Sequence, residues 1–427
     1  MGIVKSVLLL IVVFILNSCG GTSAPENCSI QEQNRYVNSF MKSRYLWYED
    51  IPDLDYTKYS SPEALLEDLK VEKDHWSFIV DKEAMDKYYS GAGYIGYGFK
   101  FVLDSNKVLI EYVYDNSPAQ KAGMQRGDEI LKVNGKSVAN LSAAEISKLF
   151  GDKEVGVESK IELKKVNGNI KSINMKKEEI SSSSVRKVKI IDNGGLKIGY
   201  LLFDRFIEPS NSELDKAFKQ FKNAGVDSLV IDLRYNGGGL VSTAKHLASL
   251  IRAEESSKVF AKLKFNNLHS SENQSYYFSK QSNSLKGVNS VYFLTTKSTC
   301  SASEAVINGL KPYVADVKII GSSTCGKPVG MVGGSFCDKY IIPIEFKIVN
   351  SRDEGEYYLN KGISPTCNIS DDLTHDLGDS NEALLKEAIY YINNGSCSSA
   401  SSRMYRKVTG KSSRDNLEGV DSIINAF

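Results

Sequence analysis

Histidine is scarce in this chain of 427 residues: only His75, His246, His269 and His375 are present, far apart, and no two cysteines have the Cys-x-x-Cys spacing. Without clustered imidazole and thiolate ligands, the sequence offers no structural zinc site and implies no metal. An excess of one charge is lacking too. The 53 basic and 52 acidic side chains leave a formal charge of +1, which excludes the clustered basic face that nucleic acid requires. Long apolar runs are absent apart from Val7 to Leu16, behind Lys5. At about ten residues it is short of the roughly 20 needed to span a bilayer, but it fits the apolar core of an export signal. No repeat of fixed period is visible. What is present, 41% hydrophobic and 25% charged residues, is the composition of ordinary globular protein. At about 100–200 residues per domain, the length predicts two to four domains.

The apolar run ends in Leu16-Asn17-Ser18-Cys19-Gly20, small residues around a cysteine that resemble a bacterial lipoprotein cleavage box. The resemblance implies removal of residues 1–18, lipidation of Cys19, and a lipid-anchored place in the bacterial cell envelope, facing the periplasm. The other six cysteines, Cys28, Cys300, Cys325, Cys337, Cys367 and Cys397, are an even number in an oxidising compartment. They permit three disulfides, but six thiols have fifteen pairings and the connectivity is not readable.

Residues 19–30 read as a tether rich in Gly, Ser, Thr and Asn. From 31 to 90, apolar residues recur at helical spacing, and Ser61-Pro62-Glu63 has a capping hydroxyl before a proline at the first helical position. This predicts a small helical N-terminal domain, with Trp47 and Trp76 as packing residues. Between 91 and 180 the pattern turns to short strands: Gly96 to Leu103, Val108 to Val113, Glu129 to Val133 and Lys160 to Lys165. One helix interrupts them, opened by the capping pair Ser142 and Glu145. Here Gly96-Tyr97-Gly98-Phe99, with Ser117-Pro118-Ala119 and Gly127-Asp128-Glu129-Ile130-Leu131-Lys132-Val133-Asn134-Gly135, resembles a PDZ domain. In that family the glycine loop offers backbone N–H groups to a peptide's terminal carboxylate, and the peptide joins the sheet as a strand. From 181 to 395 strands and helices alternate, which predicts an α/β domain with a mostly parallel sheet. Residues 396–427 form a serine-rich, then basic tail ending in Ile423-Ile424-Asn425-Ala426-Phe427, an apolar end that a PDZ groove could take as a self-ligand.

Three segments of the α/β region can carry chemistry. Lys297-Ser298-Thr299-Cys300-Ser301-Ala302-Ser303-Glu304 follows a strand and opens a helix, where free amides and the positive dipole end face an oxyanion. The same residues would also serve as an ordinary serine-rich cap. Strand Leu229 to Arg234 runs into Tyr235-Asn236-Gly237-Gly238-Gly239, a loop able to bring N–H groups close to a reacting atom. Ser323-Thr324-Cys325-Gly326-Lys327-Pro328 sets a lysine on a glycine turn. Together these are the parts of a hydrolase in which a neutral lysine amine deprotonates a serine. Cys300 as a thiol nucleophile lacks a nearby histidine in sequence, and His246 as a base sits on a helix face where a structural role is commoner.

Asp-Leu-Arg-x-Asn-x-Gly-Gly, Ser-Ala-Ser-Glu and Thr-x-Gly-Lys, in that order after a PDZ-like module, resemble the C-terminal processing peptidases, or tail-specific proteases. The resemblance implies a multidomain α/β architecture: a helical N-terminal domain, a PDZ β-sandwich or barrel, and a ClpP or crotonase-like protease core. It implies Ser301 as nucleophile and Lys327 as general base, with Ala302 N–H and that of Gly237 or Gly238 as the oxyanion hole. The partners it implies are proteins or peptides with accessible C-termini, with no cofactor. One departure stands out: many relatives carry a glutamine where this chain has Met331. A thioether donates no hydrogen bond, so the lysine must be oriented by something else. Its pKa must also fall from about 10.4 to about 7–8, by burial. The alternative is a lipoprotein that binds peptides or unfolded chains on a protease fold without catalysis.

Overall fold

A computed structural model describes residues 24–401, except 92, 181, 182 and 289, together with 411–412. Cys19 and the end segment Ile423 to Phe427 lie outside the described residues.

The α/β region is organised by a six-stranded sheet in the order Val185–Asn193, Leu196–Phe203, Ser228–Asp232, Ser290–Thr295, Asp316–Gly321, Cys367–Asn368. The first pair is antiparallel and the remaining pairs are parallel. Central strands read as unbroken apolar runs because both faces are covered. Leu229, Ile231 and Phe293 pack with helices Ser210–Ala224, Val241–Ile251 and Ala302–Leu310 on one side. Val230, Tyr292 and Leu294 pack with helix Ala383–Asn394 on the other.

A four-stranded antiparallel sheet lies beside this core, in the order Gln274–Tyr277, Val259–Phe265, Phe346–Val349, Val329–Gly330. The N-terminal helices Ile30–Arg44, Pro62–Leu69 and Lys82–Ser90 do not make a free-standing unit. Strand Phe78–Asp81, absent from the helical reading of this region, pairs with Lys339–Ile342, which pairs with Gly334–Phe336. Disulfide Cys28–Cys337 adds a covalent tie, and Tyr36, Phe40 and Leu66 share one core with Val329 and Ile344.

The PDZ region is an antiparallel sheet, Phe99–Asp104, Lys107–Val113, Glu129–Val133, Glu158–Lys164, Ile170–Lys176, with helix Ala143–Leu149 closing its core through Ile146. Ser142 and Glu145 form the expected capping box. The strand expected from Gly96 to Leu103 is broken at Gly98, whose φ of +82° brings it against Ser117, where a Cβ would stand 2.2 Å from that residue's own. Strand Tyr94–Gly96 instead pairs with Glu178–Ile180. The outer edge of Phe99–Asp104 carries Lys411–Ser412 as an added antiparallel strand, opposite Leu103 and Val102.

Arg126 joins this domain to the core. Its guanidinium is bonded to Asp371 at 2.8 Å and to the Tyr235 hydroxyl at 2.6 Å, and also contacts the carbonyl of Glu111.

Candidate active site

Strands Ser228–Asp232 and Ser290–Thr295 end side by side, so the loops leaving their carboxyl ends meet. The first loop is fixed by Arg234, a fully buried guanidinium bonded to both oxygens of Asp232, both of Glu382, and Asp371 at 2.7 Å. Three carboxylates around one cation satisfy its donors, as a buried charge requires. Asn236 then docks the glycines on the second loop. Its side-chain oxygen accepts Gly238 N–H at 2.9 Å, and its carbonyl accepts Cys300 N–H and the Ser303 hydroxyl, each at 3.0 Å. A Cβ on Gly238 would lie 2.8 Å from the Cys300 carbonyl oxygen and 2.9 Å from Ala302 N, and its φ is +101°. Glycine is therefore required there by both space and backbone.

The second loop turns into helix Ala302–Leu310 at Ser301, whose φ of +55° and ψ of −111° are strained for a non-glycine residue. This turn presents the serine side chain to a cleft of about 1030 Å³ lined also by Gly237, Gly238, Lys327, Met331 and Trp76. Among the described residues, the N–H groups of Ala302 and Gly237 have no hydrogen-bond partner, whereas Gly238 donates inward to Asn236.

Glu304 connects the serine turn to the lysine loop. Its Oε2 accepts the backbone N–H groups of Ser301 at 2.9 Å and Lys327 at 2.8 Å; its Oε1 accepts Gly326 N–H at 2.8 Å and the Thr324 hydroxyl at 2.5 Å. Burial pushes this carboxyl above its usual range, against the pull of those donors. The second link is the disulfide Cys300–Cys325, so Cys300 has no free thiol to act as a nucleophile.

Lys327 keeps some exposure to the cleft as a residue, yet its amine is enclosed and burial lowers its pKa to about 8, against the opposing pull of Asp74 and Glu304. Its Nζ is 3.6 Å from the Met331 sulfur and 6.0 Å from the centre of the Trp76 ring. Among the described residues no hydrogen bond joins it to Ser301 Oγ. His246 stands elsewhere, on helix Val241–Ile251, and bonds Asp215 at 3.2 Å.

The N-terminal region's share of the cleft was not legible in the sequence. Trp76 packs at the edge of the N-terminal core, as a packing residue should, but also faces the lysine. Asp74 holds that turn by accepting the N–H groups of Trp76 and Ser77 at 2.9 and 3.0 Å and the Tyr45 hydroxyl at 2.7 Å. An Asp three residues before a Ser was the available signal, since that spacing closes a turn. In the PDZ region Tyr97 and Phe99 point into the domain core, and the carbonyls of Tyr97 and Gly98 accept the Ala119 and Tyr114 N–H groups. Two groups of Cys and Glu ligand atoms lie within 4.8 Å of one another, Cys300, Glu304, Cys325 and Cys367, Glu387, Cys397. In both the cysteines are joined to each other, which leaves no thiolate for a metal.

Comparison with known proteins adds the following. Residues 197–369 match the family described as Peptidase family S41, residues 32–78 the Peptidase S41 N-terminal domain, and residues 109–155 a PDZ domain, a match that starts after the Gly96 to Phe99 loop. A CtpA-like serine protease of Staphylococcus aureus strain COL is 28% identical over 301 residues, 70% of this chain and 57% of that protein. The counterpart in strain MSSA476 is 26% identical over 361 residues, 84% of this chain and 68% of that protein. The chain thus aligns with little more than half the length of the first of these. Among solved structures, an S41 protease homologue from Bacteroides fragilis NCTC 9343 superposes with a TM-score of 0.70 at 27% identity, covering 84% of this chain and 97% of that one. The photosystem II D1 C-terminal processing protease shares the fold, with a TM-score of 0.52 at 19% identity over 81% of this chain and 94% of its own.

Proposed function

The chain belongs to peptidase family S41, with the family's N-terminal domain and a PDZ domain, and we propose that it is a serine endopeptidase of the bacterial cell envelope that works through Ser301 and Lys327. The observation that carries this reading is the meeting of two unlike features in one cleft: a serine on a strained turn at a helix start, and a lysine whose pKa is about 8. An amine near pH 8 is neutral often enough to take a proton, yet basic enough to return it.

In the proposed reaction the neutral amine removes the Ser301 hydroxyl proton as Oγ attacks the substrate carbonyl carbon. The oxyanion receives the N–H groups of Ala302 and Gly237, since that of Gly238 is engaged by Asn236. The Lys327 ammonium then protonates the leaving amine as the peptide bond breaks. Water, deprotonated by the same amine, releases the acyl group and regenerates the serine. Substrate entry would draw the two side chains into direct contact, since catalytic hydrogen bonds commonly tighten only with the reactant in place.

Capture of protein C-termini falls to the backbone of Gly96, Tyr97, Gly98 and Phe99 and to the edge of strand Phe99–Asp104, which accepts an added strand. The proposed location follows from the export run and Cys19, which would carry the lipid; no helix among the described residues is long and apolar enough to cross a membrane. One observation favours the non-catalytic, chain-binding reading: the lysine amine is bonded to a thioether in place of a glutamine oxygen. Cleavage of an unstructured protein at alkaline pH, lost in Ser301→Ala and in Lys327→Ala, supports the peptidase. Binding without cleavage by the native chain supports the alternative.

A further inference from the structure

With Met331 at the glutamine position, Lys327 Nζ has no hydrogen-bonded oxygen partner among the described residues, so its placement depends on the backbone that carries it. That backbone is tied to the serine turn by the Cys325 N–H, which donates to the Thr299 carbonyl at 3.0 Å, and by two further links. One is Glu304, whose carboxylate accepts backbone N–H groups from both loops; the other is the bridge between Cys300, which precedes the nucleophile, and Cys325, two residues before the lysine. Both cysteines line the cleft that holds Ser301 and Lys327, so whatever reaches the catalytic centre also reaches the bridge. The bridge also touches the other tie, since the Cys325 sulfur lies 3.4 Å from Glu304 Oε2, the oxygen that accepts both the Ser301 and Lys327 amides.

We propose that the Cys300–Cys325 disulfide is a dithiol-sensitive positioning element of the Ser301–Lys327 pair, whose opening reversibly lowers catalysis. The inference rests on the peptidase reading above. In the oxidised form the Cys325 sulfur has no proton and cannot compete for Glu304. A dithiol thiolate attacks one of the two sulfurs and forms a mixed disulfide; its second thiolate resolves it and leaves as a cyclic disulfide. Two electrons and two protons are thereby transferred to Cys300 and Cys325. The new Cys325 S–H then has an acceptor 3.4 Å away, on the oxygen that aligns both amides, while the covalent link between the two loops is gone. The charged groups around the lysine amine are Asp74 and Glu304, and loosening its loop admits water to an amine that burial now keeps near pKa 8.

The test takes the full chain through a dithiol titration, with alkylation and peptide mass spectrometry to follow each bridge and an unstructured protein as substrate. kcat should fall at least about fivefold in step with alkylation of Cys300 and Cys325, with KM within about twofold and an unchanged far-UV spectrum. Reoxidation should restore it. The C300A/C325A variant should start at the reduced rate and ignore the dithiol, while C367A/C397A should respond as the native chain does. A C300A/C325A variant with native kcat and native acid limb overturns the inference, as does a loss of rate that precedes opening of this bridge. Should that variant fail to fold, the titration of the native chain decides. A second readout needs no turnover: the Lys327 pKa followed by NMR of 15N-labelled lysine should rise when the bridge opens, and an unchanged value refutes the inference even if the peptidase reading fails. Loss of cleavage in Ser301→Ala bears on that reading alone.

Discussion

Lys327 offers a perturbation in which activity and stability are expected to move in opposite directions. Its pKa of about 8 means that at pH 7 about a tenth of the molecules hold the neutral amine, and at pH 9 about nine-tenths do. If that amine is the base, kcat/KM should rise roughly tenfold between those values, with an acid limb centred near 8. The same shift carries a stability cost. Between the folded value and the ordinary lysine value near 10.4 the unfolded chain binds more protons than the folded one, so stability increases with pH across that window. Below pH 8 the cost is fully present, at most about 3 kcal/mol, and smaller to the extent that water in the cleft solvates the ammonium. Lys327→Met should therefore be inactive yet more stable than the native chain by about 1–3 kcal/mol at pH 7, with the advantage gone above about pH 10.5. Denaturant unfolding at both pH values, beside a pH–rate profile, measures the two consequences together. An acid limb at the ordinary lysine value, or a Lys327→Met variant less stable at pH 7, would refute the reasoning.

Glu304→Gln replaces one acceptor oxygen with an NH₂ that faces backbone donors of Ser301 and Lys327 or of Gly326, so kcat should fall about a hundredfold and stability by about 2–4 kcal/mol, read by steady-state kinetics and unfolding. Gly238→Ala sets a Cβ against the Cys300 carbonyl and Ala302 N at positive φ; phosphonylation of the serine by a reactive phosphonate should slow at least about a hundredfold. Arg126→Leu leaves Asp371 without that partner at the PDZ boundary, and calorimetry should show destabilisation of about 3–5 kcal/mol. Truncation after Ser401 removes the strand Lys411–Ser412 from the edge of Phe99–Asp104, and fluorescent peptides with free apolar C-termini should bind severalfold more tightly; unchanged affinity would exclude competition by the tail.

The legible parts of the fold were those governed by local rules. Strands Glu129–Val133 and Ser290–Thr295 and helix Ala302–Leu310 lie where alternation and capping residues predict them. The strand across Gly96 and Gly98 did not survive, because contact with Ser117, distant in sequence, bends the chain there. Strand Phe78–Asp81 was missed because its pairing partner, Lys339–Ile342, comes from the far end of the chain. At the site, motif order singled out Ser301 and Lys327, and the structure brings them to one cleft. Composition could not divide the proposed oxyanion role between Gly237 and Gly238; the inward bond from Gly238 to Asn236 favours Gly237 for it. The pairings Cys28–Cys337, Cys300–Cys325 and Cys367–Cys397 likewise depend on which loops meet, and no spacing rule encodes that.

The central claim is that a neutral Lys327 activates Ser301. Its most direct measurement is the rate of labelling by a serine-reactive phosphonate as a function of pH, with the modified residue located by peptide mass spectrometry. A single adduct on Ser301, forming faster as pH rises through about 8 and at least about a hundredfold slower in Lys327→Ala, is the expected result. Labelling at another residue, or labelling of Ser301 at the same rate without the lysine, would contradict it.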